Sequence, residues 1–153
     1  MIDGAGQLAH ATAVVVGDRG ILIIGPSGSG KSSVARSLID RALAKGTFAA
    51  VVSDDQCQLQ AVSGRLICTV PAALRGGLEV RGSGLHAVDH EDSAVMHLVV
   101  ELVEPDRAVR FADETEIQLE GVSIAYALLP KREIESACRA IEARLFTPPW
   151  KKR

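Results

Sequence analysis

One stretch constrains this chain more than any other: Gly25-Pro26-Ser27-Gly28-Ser29-Gly30-Lys31-Ser32. It fits the pattern Gly-x-x-x-x-Gly-Lys-Ser/Thr at every fixed position. The pattern has meaning only between an apolar strand and a helix. Both flanks are present. Ile21 to Ile24 is a short apolar run. Ser33 to Ala44 carries Val34, Leu38 and Ala42 four apart, and Ala35, Ile39 and Leu43 likewise, which predicts an amphipathic helix ending near Gly46. Glycines let the backbone wrap round phosphate oxygens, and the helix N-terminus turns its N–H groups toward an anion. Lys31 adds charge toward the β and γ phosphates, and the Ser32 hydroxyl suits Mg²⁺. Residues Gly25 to Ser32 are therefore the candidate nucleotide-binding residues, with ATP and Mg²⁺ as the expected cofactors.

The rest of the chain limits which fold carries this loop. Ala11 to Val16 and Ile21 to Ile24 flank Gly17-Asp18-Arg19-Gly20, which reads as a hairpin. Phe48 to Val52 reads as a buried strand ending at Ser53-Asp54-Asp55. Gln58 to Val62 and Arg65 to Thr69 form a second hairpin across Ser63-Gly64. Val95 to Val103, Glu116 to Leu119 and Val122 to Leu128 are strand-like. Ile134, Ala137, Cys138, Ile141 and Leu145 make a helical stripe within Lys131 to Leu145. Only two helices appear, around a strand-rich middle, whereas a doubly wound domain alternates strand and helix throughout. The expected fold class is mixed α/β. The loop sits on a mixed, largely antiparallel sheet, with one helix after the loop and one at the C-terminal end.

Composition excludes several functions. The 153 residues fit one domain, 1–153. The net charge of −2 gives no basis for a basic nucleic-acid binder, and 3% aromatics leaves little for base stacking. No apolar run approaches the ~18 residues of a membrane span. Nucleic acid and membrane are thus not expected partners. Cys57, Cys68 and Cys138 are an odd, scattered set, read as buried thiols in a reducing compartment. No secretory leader is visible at Met1-Ile2-Asp3-Gly4, so a cytoplasmic protein is expected. The basic end, Trp150 to Arg153, reads as a solvated tail.

Candidate acids and bases lie beyond the loop. Asp54-Asp55 closes the strand after the loop helix, where an acid can hold Mg²⁺ or accept a proton from a hydroxyl. Neighbours on a strand point to opposite sides, so the two should not share one role. Read locally, the pair also fits a polar turn. Gly76 to Leu85 places Glu79 and Arg81 between glycines; alone, it reads as a loop with a chance ion pair. His86, His90 and His97 stand near Asp89, Glu91 and Asp92, and read as an exposed polar loop rather than a zinc site.

Taken together, these residues resemble the catalytic domain of the HPr kinase/phosphorylase family. His10 stands before the strand pair leading into GPSGSGKS, the next strand ends in Asp54-Asp55, and Leu78 to Leu85 reads LEVRGSGL. The likeness runs from about residue 8 to 145. It implies a short form made of the catalytic domain only, acting as a serine kinase on HPr or an HPr-like phosphocarrier of the phosphotransferase system. It also implies phosphorolysis of the phosphoserine form by inorganic phosphate. By position, Asp55 resembles the proton acceptor, and proton donor in reverse. Ser32 and Glu79 resemble the Mg²⁺ ligands, and His10 and Lys31 the other active-site residues. Arg132, after Leu129-Pro130-Lys131, loosely matches a family arginine. Asp54 is then expected to orient its neighbours, with His10. Ser33 stands where an acid is common, and assembly into a homo-oligomer stays open.

Two other readings fit the loop alone: a small-molecule kinase, and a non-catalytic ATP-binding sensor. The first needs alternating strands and helices with a basic lid. The second needs no carboxylate beside the loop.

Overall fold

The structure is a computed structural model describing residues 6–109 and 115–150. The expected basic tail at 151–153 lies outside them. Two runs of β-branched residues form the first hairpin, β2 (Ala11–Val16) and β3 (Arg19–Ile24), with Val16 opposite Arg19. The turn is therefore the two residues Gly17-Asp18, and Gly17 takes φ +62° there. Helix α1 (Lys31–Ala44) follows the loop, and β4 (Ala49–Ser53) returns beside β2. Strands β5 (Cys57–Val62) and β6 (Arg65–Thr69) pair antiparallel, with β1 (Gln7–Ala9) on the outer edge of β5.

Gly76 to Leu85 departs from the expected loop. It contains β7 (Gly77–Val80), which turns onto β8 (Gly84–Ala87) as a separate two-stranded sheet. Four-residue strands between glycines carry too few side chains to reveal alternation, so the local composition reads as loop.

The long strand β9 (Ser93–Val103) ties the molecule together. Its first residues pair with β6. The remainder runs parallel to β3 on one side and to β11 (Val122–Pro130) on the other, with β10 (Glu116–Leu119) beyond. The main sheet is ordered β4-β2-β3-β9-β11-β10. Its centre, β3-β9-β11, is parallel, and the other strand pairings among the described residues are antiparallel. The expected mixed, largely antiparallel sheet is what the chain forms.

Strand alternation separates two cores. Val14, Val16, Ile21, Ile23, Leu98, Val100 and Leu102 meet Val34, Leu38, Ala137, Cys138 and Ile141 of α1 and α2 (Ile134–Phe146). On the other face, Ala11, Ala13, Val15, Leu22 and Val99 meet Cys57, Leu59, Leu66 and Cys68. The sheet is thus covered on both sides, which fits continuous rather than alternating apolar strands. All three cysteines are buried. The Cys57 thiol is pushed far above its ordinary range by its bond with Cys68 and then by burial. Arg41 grips Glu142 with two hydrogen bonds of 2.7 and 2.9 Å, joining α1 to α2. No helix among the described residues is long and apolar enough to cross a membrane.

A bulge marks the β3–β9 junction. Gly20 lies opposite Met96 but Ile21 lies opposite Leu98, leaving His97 as the extra residue. The Gly20 N–H donates to His97 Nδ1 at 2.9 Å. A backbone N–H can only donate, so this ring carries its proton on Nε2. Burial first, then the charge of Arg19 and Arg65 against an opposing Asp18, lowers the His97 pKa below its ordinary 6.5. A group with a lowered folded pKa stabilises above its unfolded value, and that contribution is lost as pH falls through the folded value. Urea unfolding should therefore show stability falling as pH drops below about 6.5. His97→Gln should flatten this slope while lowering stability at pH 7.5 through loss of the bond to Gly20. An unchanged slope would show that His97 titrates alike in both states.

Candidate active site

The phosphate-binding sequence spans the end of β3 and the start of α1, beside the parallel centre of the sheet. Two glycines meet backbone demands here. Gly28 has φ +79° and Gly30 φ +103°, a region other residues enter at a cost. At Gly30 a Cβ would also stand 3.0 Å from Ile134 Cδ1. Lys31, only 7% exposed, folds its ammonium onto its own loop, donating to Gly25 O at 2.9 Å and Pro26 O at 3.2 Å. The Ser29 hydroxyl is buried without a hydrogen-bond partner among the described residues.

An open cavity of about 660 Å³ lies in front of the loop. Lys31, Ser32, Asp54, Asp55, Glu79 and Arg81 all line it. Asp54 is the hub. Its Oδ1 accepts from Ser32 Oγ at 2.7 Å and from Thr12 Oγ1 at 2.9 Å. Its Oδ2 accepts from the Glu79 N–H at 2.8 Å. One buried carboxylate thus draws the loop helix, β2 and the β7–β8 hairpin to a single point. Ser32, Asp54 and Glu79 make an oxygen-only donor set, the kind a hard cation takes. Because the Ser32 proton is given to Asp54, the serine oxygen keeps its lone pairs for a cation. The orphaned Ser29 hydroxyl and the self-directed Lys31 ammonium fit a loop built to receive an anion.

The two aspartates separate in their contacts, though not by strand alternation. Strand β4 ends at Ser53, where the Ser53 hydroxyl donates to Gln56 O. Asp54 lies in the following bend, and Asp55 takes φ +72°. A left-handed non-glycine residue costs about 1–2 kcal/mol, least for Asp and Asn. That conformation carries the Asp55 carboxylate away from Asp54, to within 2.6 Å of His10 Nε2. The expectation that Asp54 would work with His10 is therefore corrected: His10 pairs with Asp55, and Asp54 with Ser32 and Thr12. His10 and Asp55 are both about half exposed or more, at 50% and 65%.

Arg132 contacts the loop without lining the cavity. Its backbone N–H donates to Ser29 O at 2.9 Å, and its guanidinium reaches Gly28 O at 3.4 Å. It props the phosphate loop. The remaining histidines do not converge: His86 meets Ser83 at 2.7 Å, His90 meets Asp92 at 3.1 Å, and His97 holds Gly20. Sequence reasoning missed Thr12, whose hydroxyl sat unremarked within an apolar run.

A Gly-x-x-x-x-Gly-Lys-Ser loop on a mixed sheet with a parallel centre, faced by acids from two other segments, defines a mixed α/β domain with the candidate site at the end of its central strands. The chain belongs to the HPr Serine kinase C-terminal domain family, whose model matches residues 5–146. Over 76 residues it is 41% identical to the HPr kinase/phosphorylase of Clostridium tetani (strain Massachusetts / E88). The figure is also 41% for the HPr kinase/phosphorylase of Clostridium beijerinckii. The matched stretch spans 50% of this chain and 23% of the length of these relatives. The fold is similar to the Hpr(Ser) kinase/phosphatase from Coxiella burnetii, with TM-score 0.74 and 26% identity over 90% of this chain and 87% of that one.

Proposed function

We propose that this domain is an ATP- and Mg²⁺-dependent serine kinase acting on HPr or an HPr-like phosphocarrier in the cytoplasm. The observation that carries the reading is the Asp55–His10 pair at the rim of the cavity that Lys31, Ser32 and Glu79 line. A nucleotide sensor has no use for a carboxylate held beside the phosphate loop. A serine hydroxyl is a weak nucleophile at neutral pH, and a carboxylate within reach supplies a proton acceptor.

In this reading the loop amides and Lys31 hold the nucleotide phosphates. Ser32 and Glu79, with Asp54 behind them, would hold Mg²⁺, which when bound supplies charge to the phosphates. Asp55 accepts the serine proton as the serine oxygen bonds to the γ-phosphorus and ADP leaves. The chemistry also runs backward. Inorganic phosphate held by the same loop takes the phosphoryl group and departs as pyrophosphate, while Asp55 returns its proton to the serine oxygen. Arg132 acts by bracing Gly28 and Ser29.

Transfer of labelled γ-phosphate from ATP to HPr tests the proposal directly, with release of the label as free inorganic phosphate and none on HPr as the outcome that would favour an ATPase. Glu79→Gln keeps the hairpin, whose Glu79 N–H holds Asp54, and removes one anionic oxygen from the cavity. The Mg²⁺ concentration for half-maximal rate should rise by roughly tenfold. An unchanged titration removes Glu79 from the metal site.

A further inference from the structure

Three successive residues of the chain hold Asp55 at three different atoms. His10 Nε2 lies 2.6 Å from the carboxylate. The Ala11 N–H donates to the Asp55 carbonyl at 3.1 Å. The Thr12 hydroxyl accepts from the Asp55 N–H at 3.3 Å. The same hydroxyl gives its own proton to Asp54 Oδ1 at 2.9 Å. Thr12 is completely buried. It shares the helix-facing side of β2 with Val14 and Val16, where a valine would satisfy the packing as well. The hydroxyl is thus the one polar feature on an apolar face, and both of its bonds end on the two aspartates.

We propose that Thr12 is a positioning residue that couples the metal-side carboxylate to the proton-accepting one. The inference rests on the kinase reading above for its activity arm. Thr12 does not reach the cavity and touches no reacting group. It sets the distance and angle between Asp54, which takes the Ser32 proton, and Asp55, which lies left-handed at φ +72°. Removing the hydroxyl leaves the Asp55 N–H without its acceptor and Asp54 Oδ1 with one donor fewer. Asp55 then has reason to leave that conformation, which displaces its carboxylate.

Thr12→Val keeps the shape and removes both bonds; Thr12→Ser keeps the hydroxyl and removes only a methyl. Thermal melts of each variant check folding, and Thr12→Ala replaces valine should that variant fail to fold. For transfer from ATP to HPr, kcat of Thr12→Val should fall about 10- to 100-fold, as for a misplacement near 1 Å, with KM for HPr moving less than about threefold. The Mg²⁺ concentration for half-maximal ATP binding, read by fluorescence without turnover, should rise by roughly threefold or more, and Thr12→Ser should restore both readouts. A folded Thr12→Val with parental kcat and Mg²⁺ titration overturns the proposal. So does a serine variant as impaired as valine, because packing is then the cause. If the parent chain transfers no phosphate to HPr, the kinase reading fails instead, and the Mg²⁺ titration alone decides Thr12. A shift in valine that serine reverses upholds it, and no shift overturns it.

Discussion

Asp55→Asn is expected to slow phosphoryl transfer to HPr by about 10²- to 10⁴-fold, roughly 3–5 kcal/mol in the barrier. ATP affinity should stay close to the parent value. The substitution is well matched to the site, because Asn tolerates the left-handed conformation that Asp55 occupies at φ +72°. The backbone bonds to Ala11 and Thr12 can therefore persist while the basic oxygen is lost. Asp54→Asn is the informative contrast. Asp54 accepts from three donors, so an amide there turns at least one N–H against a donor. Its deficit should appear in melting temperature and Mg²⁺ requirement as well as in rate. Parent-level transfer by Asp55→Asn beside a dead, folded Asp54→Asn would move the proton acceptor by one residue. Parent-level transfer by both would remove a carboxylate base from this strand end.

What could be seen in the amino-acid order follows the range of the interactions that make each feature. The phosphate loop, its strand and its helix are local and contiguous, so pattern and structure agree to within a few residues. The helix begins at Lys31 rather than Ser33 because the loop passes directly into its first turn. The β7–β8 hairpin was hidden because its strands are short and rimmed by glycines. What orders it is remote: the Glu79 N–H reaches Asp54, and the buried Leu78 reaches the helix-side core.

The His97 bulge was equally out of view, since a register shift exists only once β3 and β9 are paired. The aspartates are the instructive case. Alternation along a strand predicts that the two point to opposite sides, and their contacts do differ. The cause is that β4 stops at Ser53 and Asp55 turns left-handed. Which aspartate meets His10 depends on β2 lying beside β4, a pairing across some forty residues that no local pattern records.

Lys31→Ala should reduce phosphoryl transfer by about 10³-fold or more, the scale expected when a charged donor to a transferring group is removed. The structure adds a second consequence. Lys31 is nearly buried, and its ammonium closes the loop by bonding Gly25 O and Pro26 O. Without it, these carbonyls lose a charged partner, so the nucleotide-free protein should also melt earlier. Lys31→Arg separates the two effects. It keeps a positive charge but offers a planar fork where the loop holds a compact ammonium. Charge alone as the requirement would restore most of the rate in Lys31→Arg. Geometry as the requirement would leave it nearly as slow as alanine, and the tight fit of Lys31 between two carbonyls favours that outcome. Full activity in Lys31→Ala would show that the chemistry does not take place at this loop, and the roles given to Asp55, Ser32 and Glu79 would fall with it.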